Sequence, residues 1–175
     1  MKRVVFPATF RGHIARQKLL LDELRKFFDV DIFVPRTKNE GGMPVFSILC
    51  AIEFHNYVRQ KKYDYALIRG DRYEMMGLAM IATYHSIPIA HIEGGDLSGV
   101  IDNRIRHAIT HLSDYHFCTN DESLVRLITM GVPVDRVWNY GSLDVEFASK
   151  VEPKNIKEKP YILVAYHPLE GEDEI

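Results

Sequence analysis

Cysteine is scarce in this chain of 175 residues: Cys50 and Cys118 are the only two, and no metal or disulfide spacing relates them. A disulfide framework and a thiolate metal site are therefore not expected, and both thiols read as reduced core residues of a cytoplasmic protein. No apolar run approaches the length of a membrane-spanning helix, and the one after Lys2 and Arg3 is too short for a secretory signal. An excess of one charge is also missing. Twenty-two basic side chains face 24 acidic ones, a formal net charge of −2, so nothing draws the whole surface to nucleic acid or to an anionic membrane. A bound anion would have to be held by local arginines and backbone amides. Neither GxGxxG nor GxxxxGK[ST] occurs, so the common nucleotide fingerprints do not apply. His107 and His111 share the i, i+4 spacing of a metal pair, but no third ligand accompanies them. No metal and no cofactor are expected.

What is present has the balance of an ordinary globular domain, 46% hydrophobic and 26% charged. Short apolar runs at 3–8, 31–35, 65–70, 88–93, 115–119, 136–141 and 161–166 read as strands. Several are apolar on both faces, as in a parallel sheet covered on each side. Between them, apolar stripes at helical spacing are expected to face the core. They are Leu20, Leu24, Phe27 and Phe28; Val45, Ile48, Leu49 and Ile52; Met75, Leu78, Ala79 and Ala82, with Met76 and Met80 beside them; and Ile105, Ala108, Ile109 and Leu112. Thr119–Glu122 has capping-box spacing ahead of a further helix that Gly131 and Pro133 close. Alternation of this kind predicts an α/β fold, a Rossmann-like doubly wound parallel sheet. Residues 149–160 hold six charged side chains and two prolines and read as a linker. The expected division is a domain over 1–148, a linker over 149–160, and over 161–175 the truncated start of a second domain.

Chemistry concentrates between His91 and Phe117, in HIEGGDLSGVIDNRIRHAITHLSDYHF. Parallel α/β sheets bind ligands beyond the carboxyl ends of their strands, and three acids fall there. Asp71 closes one strand, Glu93 closes the next, and Asp102 lies in the loop that follows. If those strands are neighbours, the two carboxylates share a rim with backbones about 5 Å apart. Like-charge crowding would then raise at least one pKa toward the range of a general acid or base. The plainer alternatives are a turn role for Asp71 and an N-cap role for Asp102. Gly94 and Gly95 would let the backbone approach a ligand, or simply form a turn. Arg106 and His107, early in the next helix, and Arg11, after the first strand, are candidates to hold an anion. His167 would face the acids across a cleft.

Together RGDRYE (69–74), HIEGGDLSG (91–99), IDNRIRHAITHLSDYHF (101–117) and ILVAYHP (162–168), with TFRGHIARQKLLLDEL (9–24), resemble the UDP-N-acetylglucosamine 2-epimerase family. The closer resemblance is to its hydrolysing branch in sialic and nonulosonic acid synthesis. It implies the first half of a GT-B-type fold, two Rossmann-like domains with a UDP-sugar in the cleft. It also implies Asp71, Glu93, Asp102 and His167 as catalytic residues, and Arg11, Gly94, Gly95, Arg106 and His107 at the substrate or its UDP. The reaction implied is elimination of UDP through a 2-acetamidoglucal, followed by addition of water, with no metal or redox cofactor. Two departures stand out: Arg69 where the family often has histidine before GDR, and Asn103-Arg104 where DESIRH is usual. A glycosyltransferase of the same architecture and a non-enzymatic sugar-nucleotide-binding subunit are the alternatives. An apolar flank facing a missing second domain would favour a homo-oligomer.

Overall fold

A computed structural model of the chain describes residues 1–9, 14, 17–152 and 161–165. Six strands form one sheet: β1 (Arg3–Pro7), β2 (Asp29–Phe33), β3 (Tyr65–Arg69), β4 (Ile89–Ile92), β5 (Tyr115–Cys118) and β6 (Val137–Asn139). Their order is β2-β1-β3-β4-β5-β6, and all pairs are parallel. The chain steps outward from β1 to β2, then returns past β1 to β3 and continues the other way. That reversal, between β1 and β3, is the place where doubly wound sheets open a ligand crevice.

Right-handed crossovers decide which face each helix covers. Helix α1 (Lys18–Leu24) covers one face, with Leu21 packed on Val4, Phe6, Leu67 and Ile92. The steps that run the other way put α2 (Gly42–Val58), α3 (Tyr73–Tyr84) and α4 (Val100–Leu112) on the opposite face. There Phe54, Met75, Leu78 and Ile109 enclose Val5, Ala66, Ile68 and Ile89. Helix α5 (Asp121–Thr129) covers Cys118 and Val137 through Leu127. After β6, α6 (Leu143–Ser149) returns to the α1 side and rests on that core through Leu143. Both cysteines are buried and free.

The sequence pattern misplaces several faces. In α2 the buried positions are Phe46, Cys50, Ala51, Phe54 and Val58, while Val45, Ile48, Leu49 and Ile52 are exposed. This helix is apolar on nearly every side, so spacing alone cannot choose its inward face; the aromatics fill the core. Met75 is buried, but Met76 and Met80 are exposed as well. Phe27 lies past the end of α1 and is 69% exposed. β2 begins at Asp29, two residues before the apolar run, because Arg3 and Asp29 are register partners joined by an ion pair. Asn120, not Thr119, caps α5 by accepting from the Ser123 amide at 2.8 Å. Residues 161–165, expected within a strand, form none and lie exposed. Most of the expected linker lies outside the described residues. No helix among the described residues is long and apolar enough to cross a membrane.

Candidate functional site

β3 and β4 are register neighbours, with Arg69 opposite Ile92. Their carboxyl ends therefore bring Asp71 and Glu93 to one rim, beside the reversal point. Gly70 makes the turn between β3 and Asp71 at φ +76, where a side chain would be strained, and its amide donates to the Ile92 carbonyl at 2.9 Å.

The rim is organised differently from the expected crowding of carboxylates. Each acid meets a buried arginine instead. Asp71 Oδ2 accepts from Arg106 Nη2, reaching over from the second turn of α4, and from Ser98 Oγ at 2.8 Å. Glu93 Oε1 accepts from both Nε and Nη2 of Arg69. Among the described residues, these side-chain bonds use one oxygen of each carboxyl group. The loop between Glu93 and α4 is folded back by Asn103, whose Oδ1 accepts from the Ser98 amide at 2.9 Å. Asn103, one of the departures from the family pattern, thus sets the position of Ser98. Asp102 sits exposed in the first turn of α4; Gly99 occupies the N-cap, so the capping role is not the one it plays.

Arg106 is turned inward to Asp71 and Ser98 rather than out toward an anion. His107 is half-buried, and its pKa is lowered, first by burial and then by Arg106, Arg126 and His111. The shift favours the neutral imidazole, which can offer a hydrogen bond but no charge. Gly94 and Gly95 are buried, and their small size serves packing. A Cβ on Gly95 would stand 2.5 Å from the Ser123 carbonyl oxygen of α5, at φ +84, and one on Gly94 3.0 Å from His91 Nδ1. Asp96 holds the loop to α5, accepting from Thr119 Oγ1 at 2.7 Å and Ser123 Oγ at 2.5 Å. Beneath the rim His91 is fully buried, bonded through Nε2 to the Gly70 carbonyl at 3.0 Å, and burial takes its pKa down to about 3. Arg11 and His167 lie outside the described residues. No group of three His, Cys, Asp or Glu among the described residues is placed to hold a metal ion.

Sequence reasoning passed over three contributors. Ser98 and Glu74 lie inside the motifs, but no local pattern there marks them out. Glu74 is fully buried and accepts from Thr9 Oγ1 at 2.5 Å and Arg72 Nε at 2.6 Å, tying the segment after β1 to α3. Asp144, in α6, lies 3.0 Å from Arg69 Nη2 and belongs to no recognisable pattern.

A parallel sheet with this reversal defines a Rossmann-like fold, the class whose members bind ligands at the carboxyl rim. The model of the UDP-N-acetylglucosamine 2-epimerase family matches residues 16–175, and the chain belongs to that family. A polysialic acid biosynthesis protein of Escherichia coli is 33% identical over 149 residues, 79% of this chain and 38% of that protein. A hydrolysing UDP-N,N'-diacetylbacillosamine 2-epimerase of Legionella pneumophila is 35% identical over 116 residues, 61% of this chain and 31% of its own length. The chain thus spans about a third of the curated relatives it matches. Among solved structures, the UDP-N-acetylglucosamine 2-epimerase of Rickettsia bellii superposes with a TM-score of 0.78 at 19% identity, covering 86% of this chain and 47% of that one. The Neisseria meningitidis enzyme bound to UDP-GlcNAc gives 0.72 at 18% identity, covering 86% and 50%. At such identities these structures establish the shared fold, the first half of a GT-B-like architecture.

Proposed function

We propose that this chain is the catalytic-rim half of a hydrolysing UDP-N-acetylglucosamine 2-epimerase, acting on UDP-GlcNAc or a 2,4-diacetamido relative of it. The observation behind this reading is the pair Asp71 and Glu93 at adjacent strand ends, each held on one oxygen by a buried arginine. A carboxylate fixed on one oxygen keeps the other for proton transfer. In the proposed reaction a rim carboxylate removes the proton from C2 while the C1–O bond breaks and UDP departs, leaving a 2-acetamidoglucal. Water then adds its oxygen at C1 while a proton returns to C2 from the opposite face, releasing N-acetylmannosamine. Asp71, Glu93 and Asp102 would share the acid and base roles with His167. Arg11 would meet the departing diphosphate, with His107 as a neutral donor. No metal, cofactor or nucleic acid takes part.

We further propose that the protein works in the cytoplasm, off the membrane, as a homo-oligomer. The exposed apolar residues Ile48, Ile52, Met76 and Met80 supply the surface for association. They line a groove of about 700 Å³ with Ala108, His111 and Leu112 between α2, α3 and α4. The domain division at 148 and the linker over 149–160 stand as part of the same proposal. Because the chain spans about a third of its relatives, residues 1–175 alone are expected to release no UDP.

The experiment is a product assay on the two-domain protein, following free N-acetylmannosamine, UDP-N-acetylmannosamine and UDP. Free sugar and UDP in equal amounts, lost on the order of 10³-fold in Asp71→Asn and Glu93→Gln, are the expected result. Transfer of the sugar to an acceptor, with both substitutions tolerated, would point to a glycosyltransferase instead.

A further inference from the structure

Arg69 ends a strand whose other members are mostly apolar and buried, and it is itself only 3% exposed. A guanidinium in such a place persists only when its charge is matched. It is matched from two directions. Nε and Nη2 both donate to Glu93 Oε1, and Nη2 also lies 3.0 Å from Asp144 Oδ2. Burial pulls the guanidinium pKa down, but the bonds and charges of Glu93 and Asp144 outweigh it and the net shift is upward. The cation is kept.

Glu93 needs such a restraint. Its backbone lies at φ +66, a left-handed conformation that is unfavourable for a residue with a side chain. Its amide is fixed by the Phe117 carbonyl at 2.8 Å. With Oε1 on Arg69, Oε2 lies on the Gly70 side, 3.6 Å from where a Cβ on Gly70 would stand. Strain at a rim residue, maintained by its surroundings, is a common mark of a preorganised site. The second partner points elsewhere. Asp144 stands in the first turn of α6, which has no buried residue of its own and leans on the sheet through Leu143. The Arg69–Asp144 ion pair ties that helix to the rim.

We propose that Arg69 is a positioning residue, holding the Glu93 carboxylate for proton transfer and, through Asp144, coupling its placement to the seating of α6. This rests on the reading of Glu93 as an acid/base group. Lysine cannot reproduce the hold, since one ammonium lacks the two-pronged geometry that converges on a single oxygen.

The test uses the two-domain enzyme and separates kcat from KM. Arg69→Met is expected to lower kcat about 10²-fold with KM changed less than about threefold, as loss of positioning should. Arg69→Lys should recover only part of that loss, and Asp144→Asn should lower kcat about three- to tenfold. Joining Asp144→Asn to Arg69→Lys should cost less than the product of the two single losses, because both act through one contact. A kcat for Arg69→Met within threefold of the parent, or full multiplicativity in the double variant, overturns the proposal. If Arg69→Met does not fold, Arg69→Lys and Asp144→Asn decide by the same criteria. Glu93→Gln separates the two levels. Loss of activity there with none in the Arg69 variants sinks only the positioning role, whereas full activity in Glu93→Gln removes both.

Discussion

Arg106 reaches from α4 to Asp71 at the end of β3, and its Nη2 also donates to Ser98 Oγ at 3.0 Å. Strand end, loop and helix are thereby closed on one another around a single carboxylate. Arg106→Met would leave Asp71 without its cation at a half-buried site. We expect a loss of about 2–3 kcal/mol in urea unfolding, less than for a fully enclosed pair because Asp71 retains some solvent contact. An unchanged midpoint would remove the pair from the structural account.

Gly95 and Gly141 offer a matched comparison. Both have positive φ, +84 and +83, but a Cβ on Gly95 meets the Ser123 carbonyl at 2.5 Å whereas nothing lies within 4 Å of one on Gly141. Gly141→Ala should cost about 1 kcal/mol from backbone conformation alone. Gly95→Ala should cost about 3 kcal/mol or more, since α5 must also move away. Thermal unfolding of the two variants side by side checks the ordering.

Acid should weaken the fold before most carboxylates titrate. Burial lowers the pKa of His91 to about 3 and of His116 to about 4. Below the ordinary histidine value near 6.5 the unfolded chain binds protons that the native state refuses, so stability falls as pH falls. With two such groups the slope approaches about 2.7 kcal/mol per pH unit between roughly pH 6 and pH 4. Urea midpoints measured from pH 7.5 down to pH 5 should decline accordingly, and His116→Asn should about halve the slope. A flat profile would contradict neutral burial.

The groove between α2, α3 and α4 predicts self-association. Ile52→Glu and Met80→Lys place charge among exposed apolar side chains without touching the core. Each should convert an oligomer to monomer in light scattering, with little change in the unfolding midpoint of the monomer. A parent chain that is already monomeric at high concentration would count against the groove as an interface.

The sheet was legible in the sequence because each of its strands is a short apolar run set off by turn residues. So was the rim, since Asp71 and Glu93 follow two such runs directly. Helix faces were harder to read. α2 is apolar nearly all round, and only packing distinguishes Phe54, which is buried, from Ile52, which is not. The arginine clamps were invisible for another reason. Arg69 and Glu93 are 24 residues apart, Asp71 and Arg106 are 35 apart, and no local pattern records which cation will turn inward. Arg106 read as an anion contact because its place near a helix start is right for one; its direction is a tertiary property.

Helix α4 borders two regions at once. Arg106 reaches the rim through Asp71, while Ala108, His111 and Leu112 line the groove. A neighbour seated in the groove would bear on the same helix that carries Arg106 to Asp71. Dilution would then do more than separate subunits. In the two-domain enzyme proposed above, turnover per molecule would fall with protein concentration even while every residue of the rim stayed unaltered.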